Sequence, residues 1–338
     1  MKYEELMLRA ISNANAFKYL AKPNPVVGAI LSKNGEIISE GYHEEYGKNH
    51  AEINAISNAQ KLIGKKFKDF SELTLICSLE PCSHIGKTGS CAEAIGKSGI
   101  KKVVIGSKDP NPKVCGKGIK ILEKNKINVI TGIHEKLVEK QNKFFFYKHK
   151  NKKPFITLKI ASSMDGKSHI DNGKKTIITT KDSRKDVHLI RASHDAILTG
   201  GNTLRIDNPR MNARVNFLTN QPRKILLTQK KINRKFKFFD NADVKIFKTR
   251  NLNHIVSSIG KDDVCSVLVE AGPMLANSFL RHGIVDEVIV YKSKKILGEK
   301  GVDWFNKKNA IENYGFKLES SYKIDTDIKK IFIKNEQK

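Results

Sequence analysis

His50-Ala51-Glu52, Pro81-Cys82 and Cys91 are the residues whose types best suit chemistry, and together they suggest a metal centre. One imidazole and two thiolates make three protein ligands, the number a catalytic zinc uses when its fourth position stays open for water. Thiolates favour a soft, redox-inert ion, and the start of a helix favours the thiolate form. An ion held in this way lowers the pKa of its water toward about 7. Glu52 is two positions from His50, near enough to flank the ion without binding it. It is the candidate for a group that takes a proton from water and passes it to a ring nitrogen and a leaving amine. Each piece also has a plainer reading. His-Ala-Glu is common, and Cys82 and Cys91 taken singly are ordinary core thiols. A closed structural zinc site would need a fourth ligand, for which His84 is nearest in sequence. The strand–turn–helix context and Pro81 before Cys82 favour the catalytic reading.

Positioning these residues takes a sheet with helices on it. The run VVGAILSKNGEIISE (26–40) places two apolar segments around Asn34-Gly35, the strongest short hairpin signal. The first 17 residues form an amphipathic helix, and 50–63, 91–98 and 117–125 also read as helices. Short apolar strands are expected at 73–79, 101–106 and 127–132. A hairpin followed by alternating helices and strands predicts a three-layer α/β/α domain with a mixed sheet. The stretch FFFYKHKNKKP (144–154) passes from aromatic to basic, and the boundary falls there, giving domains 1–147 and 148–338.

A second alternation follows, with strands at 155–161, 196–200, 224–228, 264–270 and 286–291 and helices at 182–192 and 273–283. This predicts a separate α/β domain. No G-x-G-x-x-G follows a strand, so a Rossmann fingerprint is absent. Polar clusters stand at 162–166, 199–203, 207–210 and 270–273, and each taken alone reads as a loop of turn residues. The last puts Glu270 at a strand end and Gly272-Pro273 at a helix start, which offers N–H groups and a dipole to a phosphate.

The length of 338 residues suits two domains, and 39 % hydrophobic residues supply their cores. The chain has no apolar run long enough to span a bilayer and no signal peptide, so a cytoplasmic location without membrane association is expected. Five scattered cysteines argue against a disulfide framework. A net charge of +27 invites nucleic acid or a phosphorylated small molecule as partner. The lysines are spread along the chain beside abundant Asn and Ile, the bias an AT-rich coding sequence produces without selection for binding.

SLEPCSH (78–84), GKT (86–88), Cys91, DPNP (109–112), PNPVVGAI (23–30) and GYHEEYGKNHAE (41–52) resemble the deaminase half of the bifunctional riboflavin-biosynthesis deaminase/reductase family. LKIASSMDGK (158–167), DVHLIRASHDAILTGGNTLRIDNPRMNAR (186–214) and VEAGPMLANSFLRHGIVDEVIVY (269–291) resemble its reductase half. The resemblance implies a cytidine-deaminase-like α/β/α domain followed by a dihydrofolate-reductase-like α/β domain. It implies Zn2+ on His50, Cys82 and Cys91, Glu52 as proton carrier, and a deaminase substrate site with Asn24, His43, Lys87, Asp109 and Asn111. For the reductase it implies NADPH on Ala161, Thr203, Asp207 and the segment Gly272, Pro273, Met274, Leu275, Ala276, Asn277 and Ser278. Arg191, Met211, Arg214 and Glu270 would meet the ribosyl substrate, the two arginines suiting its 5-phosphate.

The implied partner is a phosphorylated pyrimidine, with no nucleic acid, and a homo-oligomer formed through the reductase domain. The chain departs from the family pattern at Gly89-Ser90, Lys175 and Ile177. Two rival classes stand beside this reading: an RNA-acting base deaminase and a non-catalytic nucleotide-binding or structural zinc protein. Lys87 lies in a loop too long for the tight cysteine pair of the RNA-acting group, and no basic-aromatic stacking surface is evident. Bound zinc without ammonia release would mark the second rival.

Overall fold

The computed structural model describes residues 1–83, 89–305 and 311–335. The chain divides into two compact units, Met1–Lys152 and Lys153–Lys338. The first contains α1 (Tyr3–Ala14), α2 (Lys18–Ala21), β1 (Gly28–Lys33), β2 (Glu36–Tyr42), α3 (Ala51–Gln60), β3 (Thr74–Leu79), α4 (Cys91–Ser98), β4 (Lys102–Ser107), α5 (Lys117–Lys124), β5 (Asn128–Thr131), α6 (Glu135–Gln141) and α7 (Lys143–Asn151). Its sheet has the order β2-β1-β3-β4-β5. The hairpin strands β1 and β2 are antiparallel, as are β1 and β3, whereas β3, β4 and β5 are parallel. The turn at Asn34-Gly35 has positive φ at both residues, the conformation that suits a two-residue hairpin.

Helices α1 and α6 lie on one face of this sheet, and α3, α4 and α5 on the other. Their apolar faces meet in one core that includes Leu6, Ile30, Ala55, Ile76, Ile95 and Val104. Two glycines set how closely helix and sheet approach. A Cβ on Gly28 would lie 2.2 Å from the carbonyl oxygen of Ala10 in α1. One on Gly41 would lie 2.2 Å from the Ala55 nitrogen and 2.3 Å from the Ala51 oxygen of α3. The aromatic-to-basic stretch is helical, because α7 runs through 147–148 and its phenylalanines Phe145 and Phe146 pack against the core.

The second unit contains β6 (Phe155–Ser162), β7 (Lys167–Ile170), α8 (Lys181–Ser193), β8 (Ala196–Gly200), α9 (Gly201–Asp207), β9 (Arg223–Leu227), β10 (Val244–Phe247), α10 (Leu252–Gly260), β11 (Ser266–Glu270), α11 (Pro273–Arg281), β12 (Glu287–Lys292), β13 (Gly301–Asp303), β14 (Phe316–Ile324) and β15 (Asp327–Lys334). The main sheet runs β10-β9-β8-β11-β6-β12-β15-β14, and β13 pairs separately with β7. The strands from β10 to β12 are parallel, and β15 and β14 add an antiparallel edge. Alternate residues of these strands face opposite sides. Ala196, Ile225, Val267 and Val288 enter one core, while Ile197, Leu226, Leu268 and Ile289 enter another. Burial on both faces is why these strands read as unbroken apolar runs.

From β8 the chain moves outward through β9 and β10, then returns to place β11 between β8 and β6. The connections leave the carboxyl ends of β8 and β11 in opposite directions. That reversal opens a crevice between the starts of α9 and α11, where open α/β sheets bind ligands.

Candidate functional site

In the first unit the three metal-ligand candidates converge. His50 is the N-cap of α3, Cys91 is the first residue of α4, and Cys82 lies just beyond β3. Ligand atoms of the three lie within 4.8 Å of one another. His50 Nδ1 is 3.5 Å from Cys82 Sγ and 3.3 Å from Cys91 Sγ. Tetrahedral zinc with ordinary Zn–N and Zn–S bonds has an N···S edge of about 3.5 Å, so the donor set fits zinc in both chemistry and spacing. The backbone organises the sulfurs: Cys91 N donates to Cys82 Sγ at 3.4 Å, and Ala92 N donates to the Cys82 carbonyl at 3.1 Å. The Cys91 thiol and His50 hold Cys82 well below the usual thiol range. His84 and Lys87 lie outside the described residues.

Glu52, in the first turn of α3, is buried at 3 % exposure. Burial pushes its carboxyl up to about 7, where a carboxyl can both take and return a proton near neutral pH. His43 is buried as well. Its ring lies edge-on to His50 with centroids 5.3 Å apart, and its Nε2 is 3.1 Å from Asn24 Nδ2. Since an amide nitrogen only donates, His43 Nε2 is the acceptor and Nδ1 carries the proton toward the Asn49 carbonyl at 3.2 Å. Burial lowers the pKa of His43, in keeping with that neutral ring. Asp109 Oδ1 accepts from Asn111 N at 2.7 Å, the Asx turn legible in Asp-Pro-Asn-Pro. Burial pushes Asp109 up to about 7, and Glu80, Cys82 and Glu52 push the same way.

In the second unit a cleft of about 1230 Å³ spans the strand ends. Ala161, Thr203, Asp207, Gly272, Pro273, Met274, Leu275 and Ser278 line it, as do Arg191, Met211, Arg214 and Glu270. Ala276 instead enters the core, and Asn277 Nδ2 donates to the carbonyls of Pro273 and Trp304. The cluster at 199–203 is a strand end and a helix start rather than a loop. Two adjacent glycines hid the helix, because glycine is a poor helix former. Gly201 lets α9 sit against β9, since a Cβ there would lie 2.6 Å from Thr228 Oγ1. Thr203 and Asp207, four apart on α9, share its cleft face.

Gly272 behaves differently. Its φ of −72° suits any residue, and a Cβ on it would meet nothing within 4 Å. Neither conformation nor internal packing requires glycine at 272. The open space lies at the N-cap of the nine-residue α11, as expected of a cradle for a cofactor phosphate.

One end of the cleft is strongly charged. Arg191 forks onto Glu270, Nε to Oε1 at 2.6 Å and Nη2 to Oε2 at 3.0 Å, and Lys159 Nζ lies 3.2 Å from Oε2. Burial pushes Glu270 up, but Arg191 and Lys159 outweigh it and hold the carboxyl well below the usual range. The fork of Arg191 is therefore engaged within the protein. Arg214 donates to Asn212 Oδ1 at 2.8 Å and is otherwise exposed. Burial together with Arg191 and Arg214 lowers His188 to about 4, so its ring is neutral at pH 7.

Sequence reading missed Lys159, His188 and Trp304. The first had a signal: a lone lysine inside a strand apolar on both faces. The chain's one tryptophan lines the cleft and donates from Nε1 to the Ala161 carbonyl at 2.7 Å.

Comparison with known proteins finds relatives for both units. Residues 1–107 match the cytidine and deoxycytidylate deaminase zinc-binding region, and residues 154–330 match the RibD C-terminal domain. The riboflavin biosynthesis protein RibD of Aquifex aeolicus is 36 % identical over 317 residues, covering 87 % of each chain. The Escherichia coli protein of the same name is 32 % identical over 335 residues, covering 88 % of this chain and 89 % of that one. Among solved structures, Acinetobacter baumannii RibD superposes with a TM-score of 0.88 at 32 % identity over 99 % of both chains. A Thermotoga maritima diaminohydroxyphosphoribosylaminopyrimidine deaminase/5-amino-6-(5-phosphoribosylamino)uracil reductase gives 0.85 at 34 % identity, covering 98 % of this chain and 99 % of that one. Zinc-ligand geometry in one unit and a strand-end cleft in the other thus meet family matches to both halves: the chain belongs to the RibD family of riboflavin-biosynthesis proteins, a zinc-binding deaminase domain followed by a reductase domain.

Proposed function

We propose that the first domain hydrolyses the exocyclic amine of a phosphoribosylated diaminopyrimidine and the second reduces its ribosyl group to ribityl. The observation that carries the first step is a buried Glu52 beside three converging zinc ligands. Zinc, when bound by His50, Cys82 and Cys91, supplies an activated water. Glu52 would take the two protons of that water in turn, returning the first to the ring nitrogen and the second to the leaving amine, so that a C–O bond forms, the C–N bond breaks and ammonia departs. Asn24, held by neutral His43, offers hydrogen bonds to the heterocycle, and Asp109 and Asn111 bound the far side. Lys87 belongs to the same substrate site by family resemblance.

In the second domain Ala161, Thr203, Asp207 and the start of α11 hold NADPH, which when bound supplies hydride to the ribosyl C1. The sugar ring opens as that C–H bond forms, and a proton goes to the ring oxygen. Arg214 stands with Arg191 and Arg210 beside the neutral ring of His188, and a 5-phosphate relieves the repulsion among the guanidiniums. Arg191 acts mainly through Glu270. Met211, held at a φ of 50° and buried against Arg191, shapes the floor of this site. Incubating the purified chain with the diaminopyrimidine, with and without NADPH, and weighing the products tests both halves. A mass change from amine to carbonyl without NADPH, and two added hydrogens with it, is the expected result. Recovery of unchanged substrate in both arms contradicts the proposal.

Among the described residues no helix is long and apolar enough to cross a membrane. The reading extends to a cytoplasmic enzyme without a nucleic-acid partner. It also includes a homo-oligomer through the reductase domain, whose outer hairpin exposes Leu318, Tyr322 and Ile328. Sedimentation of the purified chain, in which a monomer would contradict it, tests the last point.

Gly272→Val and Asp207→Ala test the cofactor site. Because a Cβ at 272 meets open space, valine there leaves the fold intact while filling the cradle. The expected result is a loss of NADPH binding by at least about tenfold, the effect of one lost charge-assisted contact, with deamination unchanged. Quenching of Trp304, the only tryptophan, reads binding directly. Normal titration of both variants would remove α9 and α11 from the cofactor site.

A further inference from the structure

Strand β3 runs out into Glu80-Pro81-Cys82, which places a carboxylate two residues before a zinc ligand. Glu80 is 3 % exposed. Its Oε2 accepts from Asp109 N at 3.2 Å and Gly116 N at 3.0 Å. Its Oε1 accepts from Gly118 N at 3.0 Å and Ile119 N at 3.3 Å. Its own N–H donates to the Ser107 carbonyl at 2.9 Å. Helix α5 begins after Gly116, which has no side chain to cap it, so Glu80 supplies the cap from the neighbouring strand.

Gly116 holds a φ of 73°, which residues with side chains rarely adopt, so no local side chain caps α5 there and the cap comes from another strand. What the distant carboxylate adds is a tie between two segments. A second contact makes the same tie: a Cβ on Gly118 would lie 2.0 Å from the Pro81 carbonyl oxygen, so α5 rests on the backbone between Glu80 and Cys82. The tied segment, 109–119, begins with the turn that orients Asp109 and Asn111.

We propose that Glu80 is a positioning residue for deamination, clamping the Asp109–Asn111 turn to the strand end that carries Cys82 so that substrate contacts and metal ligands keep a fixed spacing. The proposal rests on the assignment of that turn to the substrate site. A misplacement of about 1 Å can cost about a hundredfold in rate, which is why such a clamp matters.

The test uses the full chain with Glu80→Gln, Asp109→Asn and the double variant. Glutamine keeps the volume but turns an amide donor toward backbone N–H groups. The expected result for Glu80→Gln is wild-type zinc content and reductase activity, with deaminase kcat/KM down roughly ten- to a hundredfold, mostly in KM. The double variant is expected to be little worse than the poorer single variant, because both changes act through the same Asp109–Asn111 turn. If Glu80→Gln does not fold, Glu80→Asp, which withdraws the carboxylate by one methylene, is read in the same way. An unchanged KM, loss of zinc together with activity, or full multiplication of the two effects overturns the proposal. A silent Asp109→Asn removes Asp109 from the substrate site instead, and the KM of Glu80→Gln then decides whether the clamp acts through Asn111.

Discussion

Glu52→Gln is expected to retain about one zinc per chain and to lose ammonia release by roughly a hundred- to ten-thousandfold, the contribution of a positioned proton carrier. The side chain is not among the converging donors, which are His50, Cys82 and Cys91. The amide has the same shape and fills the same buried position, but it cannot take a proton from water or hand one to an amine. Metal content by mass spectrometry and ammonia release by a coupled assay separate the two effects. Reductase turnover of the same sample reports on folding. Stripping zinc from the wild type with a chelator should imitate the variant in the deaminase assay while leaving the reductase intact. Near-normal deamination by Glu52→Gln would show that another group carries the proton.

Arg191→Ala and Arg214→Ala are expected to differ in kind, although the family resemblance pairs them as a phosphate clamp. Arg191 is the fork on Glu270, whose side chain is only 5 % exposed. Its removal leaves a buried carboxylate with Lys159 as its remaining close cation. Breaking a buried pair from one side destabilises by about 3–5 kcal/mol, and with Lys159 still in place the low end is expected. Arg191→Ala therefore lowers the midpoint of the reductase domain and abolishes its activity through misfolding as much as through lost binding. Acid acts in the same direction. The folded carboxyl of Glu270 lies below its unfolded value near about 4.3, so its stabilisation is complete above that pH and declines as the pH falls below it. Arg214→Ala has no such partner to abandon, and its effect is a ten- to hundredfold weaker substrate, about 1.5–3 kcal/mol, at unchanged midpoint. Calorimetry beside reductase kinetics checks the contrast. Equal midpoints for the two variants would contradict the role assigned to the Glu270 fork.

Much of this molecule was legible because its signals are local. The Asn34-Gly35 hairpin, the α4 boundaries and the parallel strands with apolar residues on both faces are written in short windows of sequence. The metal ligands were legible because side-chain type and element order sufficed to bring them together. What stayed hidden depends on contacts distant in sequence. Nothing near Glu80 indicates that its carboxylate caps a helix 37 residues later. Nothing near Arg191 indicates that Glu270 occupies its fork. Helix α9 was hidden for another reason, since its first residue must be glycine for packing and so violates helix propensity. The edge hairpin β14–β15 was missed because its outward residues alternate weakly and neither strand is buried on both faces.

The contact at Gly41 has a consequence for the history of the gene. Helix α3 carries both His50 and Glu52, and nothing but hydrogen separates it from the strand beneath. Every single-base missense change of a glycine codon adds at least a Cβ, so position 41 has no near-neutral neighbour in sequence space. Any side chain at 41 pushes α3, and with it His50 and Glu52, away from the strand, so a residue that touches neither metal nor substrate fixes where both of those groups stand.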